Sequence, residues 1–241
     1  MVYMCYVIKN MSVVAMYDLS PIWISIKTGI LTIIIVFILG ILAARWIFTM
    51  KNNTLKIILD GIFTMPLVLP PTVLGFFLLY VFGVNGLVGS FFMKLFHIRI
   101  AFSWIATVIA AITVAFPLMY RSAKSAFELV DKDMIHAART LGMKESTIFI
   151  KVIIPNALPG IISGSILAFA RGLGEYGATS MLAGNISGKT RTLPLAVYSE
   201  VAGGDMQTAG FYVFIIVAIC FIAVVIMNYY ALKEERRKNE T

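Results

Sequence analysis

The sequence predicts an all-α membrane protein with about five transmembrane helices. Hydrophobic residues make up 60% of the 241-residue chain and charged residues 13%, whereas soluble domains are about 45–50% apolar and about 25% charged. The mean hydropathy is +0.91. A soluble core of this size cannot hide so much apolar surface from water. We therefore expect lipid to surround most of the chain.

Five apolar stretches are long enough to cross a bilayer, which takes about 20 residues. Only helices and closed barrels satisfy their backbone groups in lipid, and stretches this continuously apolar are expected to be helices. We expect transmembrane spans at about residues 22–48, 57–82, 100–120, 157–182 and 211–232. Residues 22–232 then form one transmembrane domain, between an external segment, 1–21, and a cytoplasmic tail, 233–241.

Lysine and arginine concentrate in the segments that face the cytoplasm if the N-terminus lies outside. Segments 45–56, 121–151 and 233–238 hold 13 of the 20 basic residues, and the opposite segments hold six. Cytoplasmic loops of membrane proteins carry such an excess. We therefore expect a multi-pass protein of the cell membrane with its C-terminus inside. The net charge of +8 indicates this orientation rather than a nucleic-acid partner.

Reactive and metal-binding residue types are sparse in this sequence. Cys5 and Cys220 lie in different segments, and the two histidines are His97 and His136, so no metal-ligand spacing is present. A membrane-embedded enzyme would need clustered acids, paired histidines or a nucleophile motif near its spans. We expect no catalytic residue, no metal and no cofactor.

The longest predicted cytoplasmic loop, residues 121–155, contains the polar block HAARTLGMKESTIFIKVIIP. We expect a helix over residues 131–141, a break at Gly142, and a second amphipathic segment over residues 144–152. Pro155 would then begin the next span. Such a compact unit, with small alanines, can enter a cleft on another protein. An ordinary solvated loop is the alternative on these residues alone.

The block resembles the EAA loop of the permease subunits of ABC importers. The residues that fall at the spacings of that motif are Ala137, Ala138, Gly142, Val152, Ile154 and Pro155. His136 departs from the pattern, because the family usually has glutamate there.

The resemblance implies that this loop docks on a separate cytoplasmic ATPase, whose closure switches the membrane pathway between inward- and outward-facing states. The coupling residues implied are His136, Ala137, Ala138, Arg139, Leu141, Gly142 and Pro155. The chain has no G-x-x-x-x-G-K-[ST] phosphate loop, so ATP hydrolysis is expected on the partner. A passive channel would have no use for a docking loop.

Two further stretches are expected to line the pathway. The second span contains Pro66, Pro70 and Pro71, followed by Gly75, and such breaks are tolerated where helices pack together or line a cavity. A kinked packing helix is the alternative. We assign Pro70, Pro71 and Gly75 to the pathway.

The second stretch is FARGLGEYG, residues 169–177. Arg171 and Glu175 are four residues apart, so they can pair on one helical face. Ionisable residues inside a span usually face the bundle interior or a wet pathway. We assign Arg171, Gly174 and Glu175 to a gate, with a purely structural ion pair as the alternative.

These stretches also resemble the permeases of molybdate importers. The segments that carry the resemblance are PLVLPPTVLG (66–75), FARGLGEYG (169–177) and AGNISGKTRTLPL (183–195). Tungstate and sulfate or thiosulfate permeases are related alternatives. The resemblance implies a type I importer (MetI-like) fold and a homodimer with the pathway on its two-fold axis. It also implies two ATPase subunits and an extracytoplasmic molybdate-binding protein as partners.

Overall fold

A computed structural model of the chain describes the backbone of residues 18–239 and the side chains of residues 18–230. Most of the predicted external segment 1–21 and the last two residues of the tail 233–241 lie outside the described residues. Within these limits the protein is helical and contains no strand, which confirms the predicted fold class.

Eleven α-helices follow one another along the described part of the chain. They are α1 (Ser20–Thr49), α2 (Asn53–Val68), α3 (Pro71–Phe82), α4 (Leu87–Phe96), α5 (Trp104–Glu128), α6 (Lys132–Thr140), α7 (Glu145–Ile148), α8 (Ile154–Leu173), α9 (Gly177–Leu182), α10 (Leu193–Gly203) and α11 (Met206–Asn239). A π-helical turn, Phe149–Ile153, joins α7 to α8. Five helical segments of the described chain are long and apolar enough to cross a membrane.

The second predicted span, 57–82, is two helices rather than one. Helix α2 ends at Val68 and α3 begins at Pro71, while Pro70 adopts an extended conformation between them. Proline has no N–H to donate, and its ring clashes with the preceding helical turn, so two consecutive prolines end α2. The segment long enough to cross a membrane is Pro71–Phe96, made of α3 and α4.

The fourth helical segment also differs from its prediction, 157–182. It begins at Glu145 and runs to Leu173, so Pro155 lies inside a continuous segment and does not restart the chain. The π-helical turn before Ile154 accommodates the proline, because such turns adjust the backbone where an N–H is missing. Gly174 then ends α8, and α9 is a separate short helix.

The remaining helices extend beyond the apolar stretches from which they were predicted. Helix α5 continues to Glu128, so residues 121–128 of the predicted loop are helical, and α11 already begins at Met206. Sequence hydropathy marks the apolar part of a helix, whereas the helix itself continues into polar turns.

The core lies where α1, α5 and α8 cross, and small residues allow their close approach. A Cβ at Gly40 of α1 would lie 2.6 Å from Met119 Cγ of α5, and one at Gly164 of α8 would lie 2.3 Å from Ser122 Cβ. Helices in lipid associate through such small residues because no hydrophobic force drives them together. This three-helix core holds the predicted loop at one end of α8 and the predicted gate at the other.

Candidate functional site

Helix α6 and the turn after it carry most of the predicted coupling residues. The Asp131 carboxylate accepts a hydrogen bond from the Asp133 N–H (2.8 Å) and begins the helix. Gly142 adopts a φ of +74°, a conformation that only glycine adopts at low cost, and its N–H donates to the Arg139 carbonyl (2.9 Å). The predicted helix and its break at Gly142 are therefore confirmed.

The two faces of α6 have opposite environments. Ile135 and Ala138 are buried against the bundle, in the same apolar cluster as Phe127 and Ile148. On the other side His136 and Ala137 are exposed, and Leu141 after the helix is 81% exposed. Leu141 is the most exposed large apolar side chain of the block 136–155.

A salt bridge closes the turn around Gly142. Arg139 Nε lies 2.6 Å from Glu145 Oε1 and its second nitrogen lies 3.2 Å from Oε2. This bidentate geometry is the strong form of the arginine–carboxylate contact, and it raises the pKa of Arg139, first through the hydrogen bond. Glu145 was not among the predicted site residues. Its position opposite Arg139 across a glycine turn is a signal that the sequence offered.

Aromatic rings connect this loop to the bundle. The ring of Phe149 in the π-helical turn packs edge-on against Phe127 of α5, with centroids 5.3 Å apart. Phe127 in turn contacts Phe48 of α1 at 6.1 Å, and the Arg45 guanidinium lies 4.3 Å above the Phe149 ring. The loop is therefore packed against α1 and α5 and does not hang free in solvent.

The predicted pathway residues of α3 lie against α9. A Cβ at Gly75 would lie 3.0 Å from Ala178 Cα, and one at Gly177 would lie 2.6 Å from Pro71 Cβ. Gly75 is buried in this contact, whereas Pro70 and Pro71 are largely exposed. A glycine on each helix, Gly75 on α3 and Gly177 on α9, thus allows the two backbones to approach closely.

The predicted gate pair forms, but with different local geometry from the prediction. Arg171 lies in the last turn of α8, and Glu175 lies beyond the end of that helix, after Gly174. Their side chains do not share a helical face. The Arg171 guanidinium donates to Glu175 Oε2 (2.7 Å), and Glu175 Oε1 accepts from the N–H of Ala178 (2.8 Å). Glu175 therefore links the end of α8 to the start of α9.

The structure brings the predicted pathway residues of α3 close to the predicted gate residues. Both groups lie far from the predicted coupling residues. Glu175 caps the first turn of α9, and α9 packs on Pro71 and Gly75 of α3. Pro155 and Arg171 lie near opposite ends of α8, about 24 Å apart at 1.5 Å per residue. The two groups therefore occupy opposite ends of the same helix.

A third polar cluster, absent from the sequence predictions, joins α2 to α5. Tyr120 donates to Asp60 Oδ1 (2.5 Å), and Lys124 Nζ lies 2.9 Å from the same oxygen. Asp60 is the only acidic residue in the apolar stretch 57–82. An acid in such a position usually pairs with another residue, so the sequence indicated that Asp60 has a partner. It did not indicate which residues, about 60 positions away, the partners are.

Comparison with known proteins identifies the family. Residues 36–238 match the model of the binding-protein-dependent transport system inner membrane component. The chain belongs to this family. Together with its five apolar helices, membership makes it a multi-pass inner-membrane protein.

Several curated relatives match this permease over most of its length. It is 42% identical over 203 residues to the putative molybdenum transport system permease protein YvgM of Bacillus subtilis, covering 84% of this chain and 89% of that protein. It is 40% identical over 210 residues to the molybdenum transport system permease protein ModB of Escherichia coli K12, covering 86% and 91%.

Solved ABC importers share the fold. A chain of the MetNI methionine ABC transporter, described as inward facing, matches with a TM-score of 0.66 at 16% identity, covering 88% of this permease and 95% of that chain. A bacterial ABC transporter involved in alginate import matches with a TM-score of 0.66 at 14% identity, covering 90% and 79%. The MetI-like importer fold implied by the sequence is therefore confirmed.

Proposed function

We propose that this chain is the membrane-spanning subunit of an ATP-driven importer that carries molybdate across the cytoplasmic membrane. The observation that carries the cargo assignment is the 42% and 40% identity to molybdenum transport permeases over more than four-fifths of the chain. Tungstate is nearly the same size and charge as molybdate, so we treat it as a second cargo. Sulfate or thiosulfate is the alternative, and the experiment below tests sulfate.

The coupling surface in this proposal is the exposed face of α6 together with the tip at Leu141. His136 and Ala137 face away from the bundle, and Leu141 is 81% exposed. A cytoplasmic ATPase subunit would cover this face, with Leu141 in an apolar hollow. The chain itself hydrolyses no ATP in this scheme, because the phosphate-binding loop belongs to the partner.

The Gly142 turn would hold the docking helix at a fixed angle to the bundle. The φ of +74° at Gly142 and the Arg139–Glu145 salt bridge fix the turn on both sides. When the ATPase pulls on α6, the contact of Phe149 with Phe127 would transmit the displacement to α5. Pro155, inside the continuous segment that starts at Glu145, would move with it.

The gate in this proposal is the contact of α3 with α9, positioned by Glu175. The Glu175 side chain is only 2% exposed and holds both Arg171 and the first turn of α9. Because Gly75 and Gly177 let the two backbones touch, a small rotation of α9 would open or close the space beside Pro70 and Pro71. Gly174 would act as the hinge at the end of α8.

The assembly proposed is two copies of this chain around a two-fold axis, with two cytoplasmic ATPase subunits. An extracytoplasmic molybdate-binding protein would deliver the cargo on the other side. The excess of lysine and arginine in the segments next to α6 supports a cytoplasmic position for this loop. The C-terminus would then also be cytoplasmic.

The experiment is uptake of radiolabelled molybdate into proteoliposomes that contain this chain, its ATPase and its binding protein. We expect molybdate uptake to require ATP at the face that carries α6. We also expect tungstate to suppress this uptake and sulfate to leave it unchanged. Suppression by sulfate at concentrations equal to molybdate would assign the cargo to the sulfate branch. Uptake without ATP or without the binding protein would contradict the importer assignment.

A further inference from the structure

A basic cavity lies between the end of α1 and the coupling block. Its volume is about 790 Å³, and its lining includes Arg45, Phe48 and Lys51 from the end of α1 and Lys132 from α6. Phe149 of the π-helical turn forms part of its wall. His136 and Arg139 of the coupling set also line the cavity, whereas Arg45, Lys51 and Lys132 belong to neither the coupling set nor the gate set.

The positive charge in this cavity is largely uncompensated. Glu145 also lines it, but both oxygens of that carboxylate are bound to Arg139. Within residues 18–230, no carboxylate lies within ion-pair distance of Arg45, Lys51 or Lys132. Three cations that converge on one cavity and are not paired with a carboxylate attract an anion.

The cavity has an apolar floor and lies at the end of a membrane-spanning helix. Phe149 and Ile135 are buried, and Phe48 is half-buried. Trp46, next to Arg45 on the last turn of α1, is 52% exposed. Tryptophans are enriched at the level of the lipid headgroups, and we place the basic rim at that height.

We propose that this cavity binds the headgroup of an anionic phospholipid. The phosphate would lie between Arg45, Lys51 and Lys132. The first carbons of the acyl chains, next to the glycerol, would cover Phe48. Basic pockets between helices at a membrane surface bind lipid headgroups in this way. A carboxylate from the ATPase subunit would use the cationic rim alone, whereas a lipid uses both the rim and the apolar floor.

Lipid binding to the purified full-length chain tests this proposal. Delipidated protein in detergent is titrated with phosphatidylglycerol or phosphatidylcholine, and bound lipid is counted by native mass spectrometry. We expect phosphatidylglycerol to bind more tightly, and each charge removed in Lys51→Gln and Lys132→Gln to weaken that preference about fivefold. Both lysines are exposed, so the double variant is expected to fold normally.

Two matched variants control for general charge effects. Lys51→Arg/Lys132→Arg keeps the charges and is expected to keep the preference. Lys94→Gln/Lys189→Gln removes two exposed lysines that do not line the cavity, and it is also expected to keep the preference.

Three results would overturn the lipid assignment. Equal binding of the two lipids by the unaltered protein would show that the cavity does not select an anionic headgroup. Displacement of phosphatidylglycerol by excess inorganic phosphate would identify a free oxyanion as the ligand. Loss of the preference on addition of the ATPase subunit would assign the cavity to a carboxylate of that protein.

Discussion

Arg171→Gln is expected to destabilise the protein because it leaves the Glu175 carboxylate buried without its cation. The Glu175 side chain is 2% exposed, and the substitution removes its 2.7 Å contact with the guanidinium while the bond from the Ala178 N–H remains. Breaking a fully buried pair costs about 3–5 kcal/mol. Because Arg171 is itself 35% exposed, water can replace part of the contact, which lowers the expected loss to roughly 1–3 kcal/mol.

The assay is thermal unfolding of the purified chain in detergent, followed by intrinsic fluorescence. A loss of this size lowers the midpoint by roughly 2–12 °C in a chain of this length. Arg139→Gln is the matched control, since the Arg139–Glu145 pair is equally short but both of its side chains are exposed, and a smaller shift than that of Arg171→Gln is expected.

A double-mutant cycle then separates the buried charge from other effects of the substitution. Glu175→Gln keeps an oxygen that can accept from Ala178, so the Arg171→Gln/Glu175→Gln protein is expected to be more stable than Arg171→Gln alone. Equal shifts for Arg171→Gln and the exposed control, or strictly additive effects in the cycle, would refute the account of Glu175 as a buried, paired carboxylate.

Three other perturbations test the remaining contacts. Gly177→Ala is expected to lower the free energy of unfolding by about 1–3 kcal/mol, because the added methyl group overpacks against Pro71. Thermal unfolding measures this loss, whereas a glycine-to-alanine change at an ordinary helix position would stabilise the protein. Asp60→Ala is expected to lower the unfolding midpoint more than Tyr120→Phe, which removes one hydrogen bond worth about 1 kcal/mol. Gly142→Pro is expected to abolish molybdate-stimulated ATP hydrolysis in proteoliposomes without reducing membrane insertion, because proline cannot adopt a φ of +74°.

Each of these perturbations has a control within the chain. Gly61→Ala places a methyl group where no atom lies within 4 Å, so a loss equal to that of Gly177→Ala would argue against the contact with Pro71. Gly188 also has a positive φ, +71°, in open space, and Gly188→Pro is expected to leave coupling intact. A larger loss in Tyr120→Phe than in Asp60→Ala would contradict the bonding described for Asp60.

Local sequence signals predicted helix α6 and the glycine turn that ends it. The acidic residue at position 131 and the glycine at position 142 define the ends of α6 through contacts within a few residues. Apolar length likewise predicted that five segments can span a membrane. These features depend on neighbouring residues, so a single sequence contains the information they require.

The predicted helix boundaries were wrong at prolines and glycines, where the backbone can either end a helix or continue it. Pro70 and Pro71 split the second predicted span, whereas Pro155 did not interrupt its helix because a π-helical turn precedes it. Helical spacing predicted that Arg171 and Glu175 would share a face, but Gly174 ends α8 between them. The pair still forms, since the chain turns back toward the arginine.

Contacts between distant helices could not be predicted from the sequence. Asp60 meets Tyr120 across 60 residues, and Gly75 meets Ala178 across about one hundred. Spacing rules describe one helix at a time, and the packing of α2 on α5 or of α3 on α9 depends on the whole bundle. The sequence marked Asp60 as unusual without indicating its partners.

Cargo-stimulated ATP hydrolysis tests the central claim most directly. Proteoliposomes would contain this chain with its ATPase subunit and its binding protein, and molybdate, tungstate or sulfate would be added in turn. The account predicts that molybdate and tungstate stimulate hydrolysis and that sulfate does not. Stimulation by sulfate alone would contradict the molybdate assignment, and the absence of stimulation by any of the three would contradict coupling through this chain.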